Sequence, residues 1–220
     1  FGKDNIEVVL FGNNFTQAYK KALDDCKTNG KTFIHPFDDL KVIEGQATVF
    51  LEILNQFKNK IDYIFIPVGG GGLISGAINV FKQLSPSTKI VGIEPKGAPS
   101  MFKSLEQNKL VTLEKINGFV DGAAVKKVGN YSFDYCKDFL DDIILIDEGE
   151  ICKSILDLNK IEGIVAEPAG AMSAAALRQY KDKIINKNVV CIICGGNNDE
   201  QRMPEINKRA KTWMINNPSC

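Results

Sequence analysis

Residues 61–84 read IDYIFIPVGGGGLISGAINVFKQL, and this stretch decides the fold. An apolar run rich in isoleucine is followed by four consecutive glycines, Gly69 to Gly72, and then by apolar residues at helical spacing. The pattern predicts a strand over residues 63–68, a glycine turn, and a helix over residues 73–84. A strand that leads through glycines into a helix is typical of parallel α/β proteins.

The same alternation extends over the rest of the chain. Short β-branched runs predict further strands, and the longer stretches between them predict helices. The strand segments are almost continuously apolar, as in parallel sheets that are covered on both faces. We therefore expect an α/β fold with a parallel-rich twisted sheet flanked by helices. The further strands are expected at residues 7–10, 90–93, 143–146 and 189–193, and the further helices at 14–29, 42–57, 101–106, 130–140, 148–160 and 169–181.

Composition excludes several classes of function. Lys+Arg and Asp+Glu number 27 each, so the formal net charge is zero and no basic surface for nucleic acid is expected. The apolar runs are too short to cross a membrane. Six cysteines in 220 residues do not form the framework of a small secreted protein, so we expect a reducing, cytoplasmic location. The single histidine, His35, excludes multi-histidine metal sites.

The four glycines indicate an anion site, because residues without side chains let backbone N–H groups approach a ligand at a helix N-terminus. No Gly-Lys-Ser/Thr follows, so the Walker pattern fails. The dinucleotide pattern fails too, since Ile74 or Ser75 stands at its third glycine. Glu94, at the end of the next strand, is either a ribose-binding acid or a solvated strand-end acid. The pattern alone predicts a phosphate-bearing ligand without naming it.

Other chemistry-bearing residues favour structural interpretations. Cys191 and Cys194 match C-x-x-C, but on an extended strand their sulfurs would point to opposite faces, so no zinc or redox site is expected. His35 is expected to be a structural hydrogen-bonding residue at a strand end. Asp38 and Asp39 are adjacent and point apart, which argues against a catalytic carboxylate pair.

The glycine segment IPVGGGGLISG resembles the phosphate loop of the fold-type II pyridoxal 5'-phosphate (PLP) dependent enzymes, whose fold is tryptophan synthase beta-like. Two further segments, FIHPFDDLKVIEGQATVFLEIL and ICGGNNDEQRMPEI, are most similar to those of biosynthetic threonine dehydratases. The resemblance covers about residues 5 to 209. Three more segments match in order: VGIEPKGAPSM, FVDGAAVKKVG and VAEPAGAMSAAAL.

The resemblance implies roles for individual residues. Cys194 stands where many relatives have a serine that faces the pyridine nitrogen, and a neutral partner there favours elimination over transamination. Glu167 either lies near the active site or complements the charge of a helix N-terminus. Cofactor-binding roles are implied for Gly69, Gly70, Gly71, Gly72 and Leu73 at the phosphate, and for Gly195, Gly196 and Asn197 at the ring edge.

Glu94 and Ala98 resemble the start of the divalent-cation site of serine racemase. The second acid of that site would stand at position 100, where this chain has Ser100. We therefore expect no metal.

The resemblance also implies an activity. It is that of a carbon–nitrogen lyase, threonine ammonia-lyase, which converts L-threonine to 2-oxobutanoate and ammonia in isoleucine biosynthesis. The partner is a small amino-acid substrate, and the intact protein is expected to form a homo-oligomer. The alternatives are an L-serine dehydratase or serine racemase and, from another class, a non-catalytic phosphate- or dinucleotide-binding remnant.

The Ser-Phe-Lys type of motif that carries the family's Schiff-base lysine does not occur in the 220 residues. Lys126 and Lys127 are expected to lie in a solvated loop, so no residue is assigned as catalytic. We expect a fragment that is inactive alone and lacks a C-terminal regulatory domain. The expected division is the end of the small domain at residues 1–31, the large PLP-binding domain at 32–214, and a frayed or truncated C-terminus at 215–220.

Overall fold

The computed structural model of the chain describes residues 5–12 and 15–218, except for the side chains of residues 15 and 16. The chain divides into two compact units, residues 1–35 and residues 36–220. The first unit contains helix α1, Phe15–Asn29. The rings of Tyr19, Phe33 and His35 meet edge to face in this unit, with centroids 5.3 to 6.1 Å apart.

The prediction of a strand at residues 7–10 is wrong, because the described backbone there does not form a strand. Val8 and Leu10 are 77% and 92% exposed. Strand composition alone does not make a strand, since the backbone also needs a hydrogen-bonding neighbour. None of the sheet pairings among the described residues includes this segment.

The second unit is built on a four-stranded sheet with the order β3-β2-β1-β4, in which every pair is parallel. The strands are β1 (Tyr63–Pro67), β2 (Lys89–Pro95), β3 (Asp142–Ile146) and β4 (Val189–Cys191). The helices are α2 (Leu40–Gln56), α3 (Gly72–Leu84), α4 (Ser100–Glu106), α5 (Asn130–Phe139), α6 (Glu148–Glu162), α7 (Pro168–Tyr180) and α8 (Met203–Asn216). The predicted α/β class with a parallel sheet flanked by helices is confirmed.

Both faces of this sheet are covered, as the continuous apolar strands predicted. Successive residues of β1 point to opposite faces. Ile64 and Ile66 pack in a cluster with residues of α2, α3 and α5, whereas Phe65 packs in a second cluster with residues of α6, α7 and α8. The Ser173 hydroxyl ties α7 to the sheet by donating to the Phe65 carbonyl at 2.9 Å.

Helix α8 was not among the predicted helices. Its sequence is strongly polar, but Ile206, Ala210 and Trp213 are buried at a spacing of four and then three residues. That spacing is the helical signal that sequence reasoning missed. The helix continues to Asn216, into the residues assigned to the C-terminal end. The proposed domain boundaries themselves stay a prediction. Among the described helices, none combines the length and apolar character that crossing a membrane requires.

Candidate phosphate-binding site

The strand order reverses its direction at β1, which makes β1 a topological switch point of the sheet. The chain runs from β1 to β2 on one side, whereas β4 pairs on the other side of β1. In open parallel sheets, ligands bind beyond the carboxyl ends of the strands at such a switch point. The two loops at this edge are the glycine loop, Gly69–Gly72 after β1, and the Cys194 loop, residues 194–197 after β4.

The glycine loop has no room for side chains. A Cβ atom on Gly70 would lie 2.2 Å from the ring of Phe37, and one on Gly71 would lie 2.5 Å from Cβ of Ser132. A Cβ on Gly72 would lie 3.0 Å from the Phe37 carbonyl oxygen. Gly71 also has φ +95°, a left-handed conformation that favours glycine. The glycines are therefore required by close packing, beyond what a simple turn needs.

The backbone N–H groups of this loop are available to a ligand. Among the described residues, none accepts a hydrogen bond from the N–H of Gly70, Gly71, Gly72 or Leu73. Helix α3 begins at Gly72 and has no acidic residue in its first turn. Free N–H groups and the partial positive charge of a helix N-terminus attract anions. The cradle therefore fits a phosphate group.

The Cys194 loop lies beside this cradle and is more open. Gly195, Gly196 and Asn197 are exposed, and Cys194 is half-buried. Gly195 has φ +76°, again in the left-handed region. Burial raises the pKa of the Cys194 thiol, and the nearby Glu167 carboxylate raises this pKa further. Cys194 is therefore a neutral thiol near pH 7.

Glu167 joins this loop to α7. Its backbone N–H donates to the Gly195 carbonyl at 3.1 Å, and it is the N-cap residue of α7 without a side-chain cap bond. A Cβ on Gly195 would lie 2.2 Å from Cδ of Glu167, and one on Gly122 would lie 2.9 Å from Oε1. The structure thus brings Glu167 together with Gly122, Cys194 and Gly195. Gly122 was missed, and its only sequence signal is the glycine in FVDGAAV.

Glu94 is not a solvated strand-end acid, as one of the two sequence interpretations held, because it is completely buried. Its carboxylate accepts hydrogen bonds from the N–H groups of Met101 and Phe102 at 2.8 and 2.7 Å. Burial raises its pKa to about 7. The enclosed carboxylate caps α4 and exposes no oxygen to a ligand, so the ribose-binding interpretation is wrong as well.

Comparisons with known proteins identify the family. The family model described as "Pyridoxal-phosphate dependent enzyme" matches residues 1–195. The chain belongs to this family. It is 51% identical over 210 residues to the biosynthetic L-threonine dehydratase of Halalkalibacterium halodurans, and 50% identical to that of Bacillus subtilis. These alignments cover 96% of this chain and 51% and 50% of the two relatives. The chain thus spans about half the length of the curated relatives that it matches.

Solved structures of a threonine deaminase and a serine racemase share this fold. The processed form of threonine deaminase isoform 2 from Solanum lycopersicum matches with a TM-score of 0.88 at 39% identity, over 93% of this chain and 56% of that one. Serine racemase from Dictyostelium discoideum matches with a TM-score of 0.74 at 36% identity, over 84% and 59%. The predicted fold-type II architecture and the predicted PLP family are confirmed.

The other residues that the sequence singled out lie outside the glycine loop and the Cys194 loop, and their contacts are structural. Cys191 ends β4, and its thiol contacts the Ser173 carbonyl at 3.6 Å. Lys126 donates to the Glu114 carbonyl at 2.8 Å, as expected for a loop lysine. Ser100, at the position of the second acid in a cation site, instead donates its hydroxyl to Glu94 at 3.4 Å. No group of three potential metal ligands occurs within residues 5–12 and 15–218.

Proposed function

We propose that this chain provides the phosphate- and ring-binding part of a PLP-dependent lyase that converts L-threonine to 2-oxobutanoate and ammonia. The observation that carries the proposal is the pairing, at one edge of the sheet, of an amide cradle with a neutral thiol. The proposal of L-threonine as the substrate rests on the relatives, because both biosynthetic threonine dehydratases match over 96% of this chain at about 50% identity.

The glycine loop is proposed to bind the cofactor phosphate. The N–H groups of Gly69, Gly70, Gly71, Gly72 and Leu73 would donate to phosphate oxygens, and the N-terminus of α3 would add its partial charge. A backbone cradle of this kind needs no cationic side chain. The tight contacts of Phe37 and Ser132 fix the loop before a ligand binds, which lowers the entropic cost of binding.

Cys194 is proposed to face the pyridine nitrogen. When bound, PLP supplies the electron sink for the bond that is broken at Cα of the substrate. A thiol held neutral by burial and by Glu167 is a weak hydrogen-bonding partner and does not protonate the ring nitrogen. Electron withdrawal into the ring is then limited, which favours loss of the β-hydroxyl over transamination. Gly195 and Asn197 would line the ring edge, with Glu167 beside them.

The wider assignments are proposals of the same kind. We propose that residues 1–31 end the small domain and that 32–214 form the large domain, an arrangement supported by the two compact units. A cytoplasmic location is supported by the five described cysteines, which are all free. Assembly as a homo-oligomer rests on the resemblance alone. No residue of the 220 is assigned as the catalytic base.

The substrate is tested by comparing three amino acids. The product of the natural gene should form 2-oxobutanoate from L-threonine faster than pyruvate from L-serine, and should not interconvert L- and D-serine. Preference for L-serine, or racemisation, would replace the proposal with a serine dehydratase or a serine racemase. The 220-residue polypeptide by itself should form no 2-oxobutanoate, because its sequence contains no Ser-Phe-Lys type of motif.

A further inference from the structure

Two adjacent acids, Asp38 and Asp39, bind different helices. The Asp39 carboxylate accepts from the N–H groups of Lys41 and Val42 at 2.8 and 3.3 Å, so it caps α2, its own helix. The Asp38 carboxylate turns the other way and binds the start of α5, some ninety residues further along the chain. Neighbouring side chains of the same type thus make one local and one long-range connection.

The Asp38 connection involves both carboxylate oxygens. One accepts from the backbone N–H and the side-chain amide of Asn130, both at 2.9 Å, and the other accepts from the N–H of Tyr131 at 3.0 Å. The two backbone N–H groups among these donors belong to the first turn of α5, where a helix has no internal acceptor for them. A Cβ on Gly129 would lie 2.5 Å from Asp38 Oδ1, so the approach is close.

The start of α5 in turn contacts the glycine loop. The N–H of Gly129 donates to the Gly70 carbonyl at 3.0 Å, and this bond orients the planar peptide unit that carries the Gly71 N–H. Ser132, in the first turn of α5, packs against Gly71. On its other side the loop meets Phe37, the residue before Asp38, whose ring covers Gly70 and whose carbonyl meets Gly72.

We propose that Asp38 is a positioning residue of the cofactor site. It joins the two flanks of the glycine loop, Phe37 and the start of α5, and thereby fixes the directions of the loop's N–H groups. A cradle of N–H groups binds an anion well only if the groups converge on one point before the ligand arrives. This role rests on the proposed function of the loop, but the connection itself is independent of it.

Asp39 offers a matched control, since loss of either side chain removes a helix cap. Asp38→Ala and Asp39→Ala should therefore lower the melting temperature by similar amounts, on the order of a few degrees. Only Asp38→Ala should weaken binding of pyridoxine 5'-phosphate, by about ten-fold in equilibrium dialysis, because only Asp38 bridges to α5. This probe has no aldehyde, so it forms no adducts with surface lysines. Asp38→Asn retains an oxygen acceptor and should bind within about three-fold of the wild type.

Hydrogen exchange of the free protein gives a readout that needs no ligand. The amides of Gly129 and Ser75, which donate to the Gly70 and Gly71 carbonyls, should exchange faster in Asp38→Ala than in Asp39→Ala, whereas the first turn of α2 should show the reverse. Equal exchange of the Gly129 and Ser75 amides in both variants, or equal affinity for the probe, would overturn the role of Asp38. If the wild type does not bind the probe, the proposed phosphate site is wrong, and hydrogen exchange still decides the role of Asp38.

Discussion

The two loops at the sheet edge differ in how firmly the protein fixes them. The glycine loop is enclosed: Gly71 and Gly72 are buried, and contacts come from Phe37 and Ser132. The Cys194 loop is open, since three of its four residues are exposed and β4 before it has only three residues. The comparison indicates that the glycine loop, the proposed phosphate half of the site, is preformed, whereas the Cys194 loop, the proposed ring half, depends on few contacts.

The largest effect is expected from a side chain in the enclosed half. Gly71→Ala should lower the affinity for pyridoxine 5'-phosphate by about 100-fold, because its Cβ would overlap Ser132 and displace the loop. The positive φ adds a destabilisation of about 1–3 kcal/mol, measurable by urea unfolding. Gly45→Ala is the control, since it lies in α2 with open space around it and should gain up to about 1 kcal/mol. If Gly71→Ala and Gly45→Ala bind pyridoxine 5'-phosphate equally well, the glycine loop is not the preformed half of the site.

Next to the enclosed half lies an acid whose titration can be followed. Glu94 caps α4, and Met101 of α4 lies against Gly71. Burial raises the folded-state pKa of Glu94 from 4.5 to about 7, so the folded state retains a proton that the unfolded state releases. This contribution to stability is complete below pH 4.5, declines between pH 4.5 and 7, and amounts to about 3 kcal/mol. Glu94→Gln should flatten the decline in urea unfolding from pH 4.5 to 8; an unchanged pH profile would contradict the assignment.

A smaller effect is expected in the open half, at the thiol. Glu167→Gln removes the charge that helps to raise the Cys194 pKa, so more thiolate is present at about pH 8. Alkylation of Cys194 by iodoacetamide, followed by mass spectrometry, should be about three-fold faster in the variant. The rate at Cys26, in the other unit, serves as the internal reference and should not change. If Cys194 alkylation is not accelerated, the carboxylate does not act on the thiol.

The smallest effect is expected at the exposed end of the same loop. Asn197→Ala should change the affinity for pyridoxine 5'-phosphate by less than about three-fold, because the proposed contact of an exposed side chain with the ring would contribute little net free energy. Equilibrium dialysis under the conditions used for Gly71→Ala provides the comparison. A loss as large as that of Gly71→Ala would show that the open half contributes as much binding energy as the enclosed half.

Sequence predicted what is encoded locally. The strand, the four glycines and the following helix are neighbours in the chain, so residues 61–84 predicted β1, the glycine turn and α3 correctly, and the anion site at this turn stays a prediction. The chemical identity of the ligand needed the family resemblance, because many phosphate compounds fit a backbone cradle.

Sequence failed where the outcome depends on distant packing. The sequence left open that Glu94 is a solvated acid, because it does not show that α4 packs over the Glu94 carboxylate. The connection from Asp38 to Asn130 joins residues far apart in the chain, and Gly122 meets Glu167 only in three dimensions. Residues 7–10 have strand composition, but pairing requires a partner that sequence pattern cannot supply.

Binding of pyridoxine 5'-phosphate by the 220-residue chain tests the central claim most directly. Equilibrium dialysis should show one saturable site, with competition by inorganic phosphate, no competition by NAD, and much weaker binding of pyridoxine, which lacks the phosphate. That result would support the glycine loop as the phosphate cradle of a PLP-dependent enzyme. Absence of a saturable site, or displacement of the probe by NAD, would contradict the account and favour a different ligand for the loop.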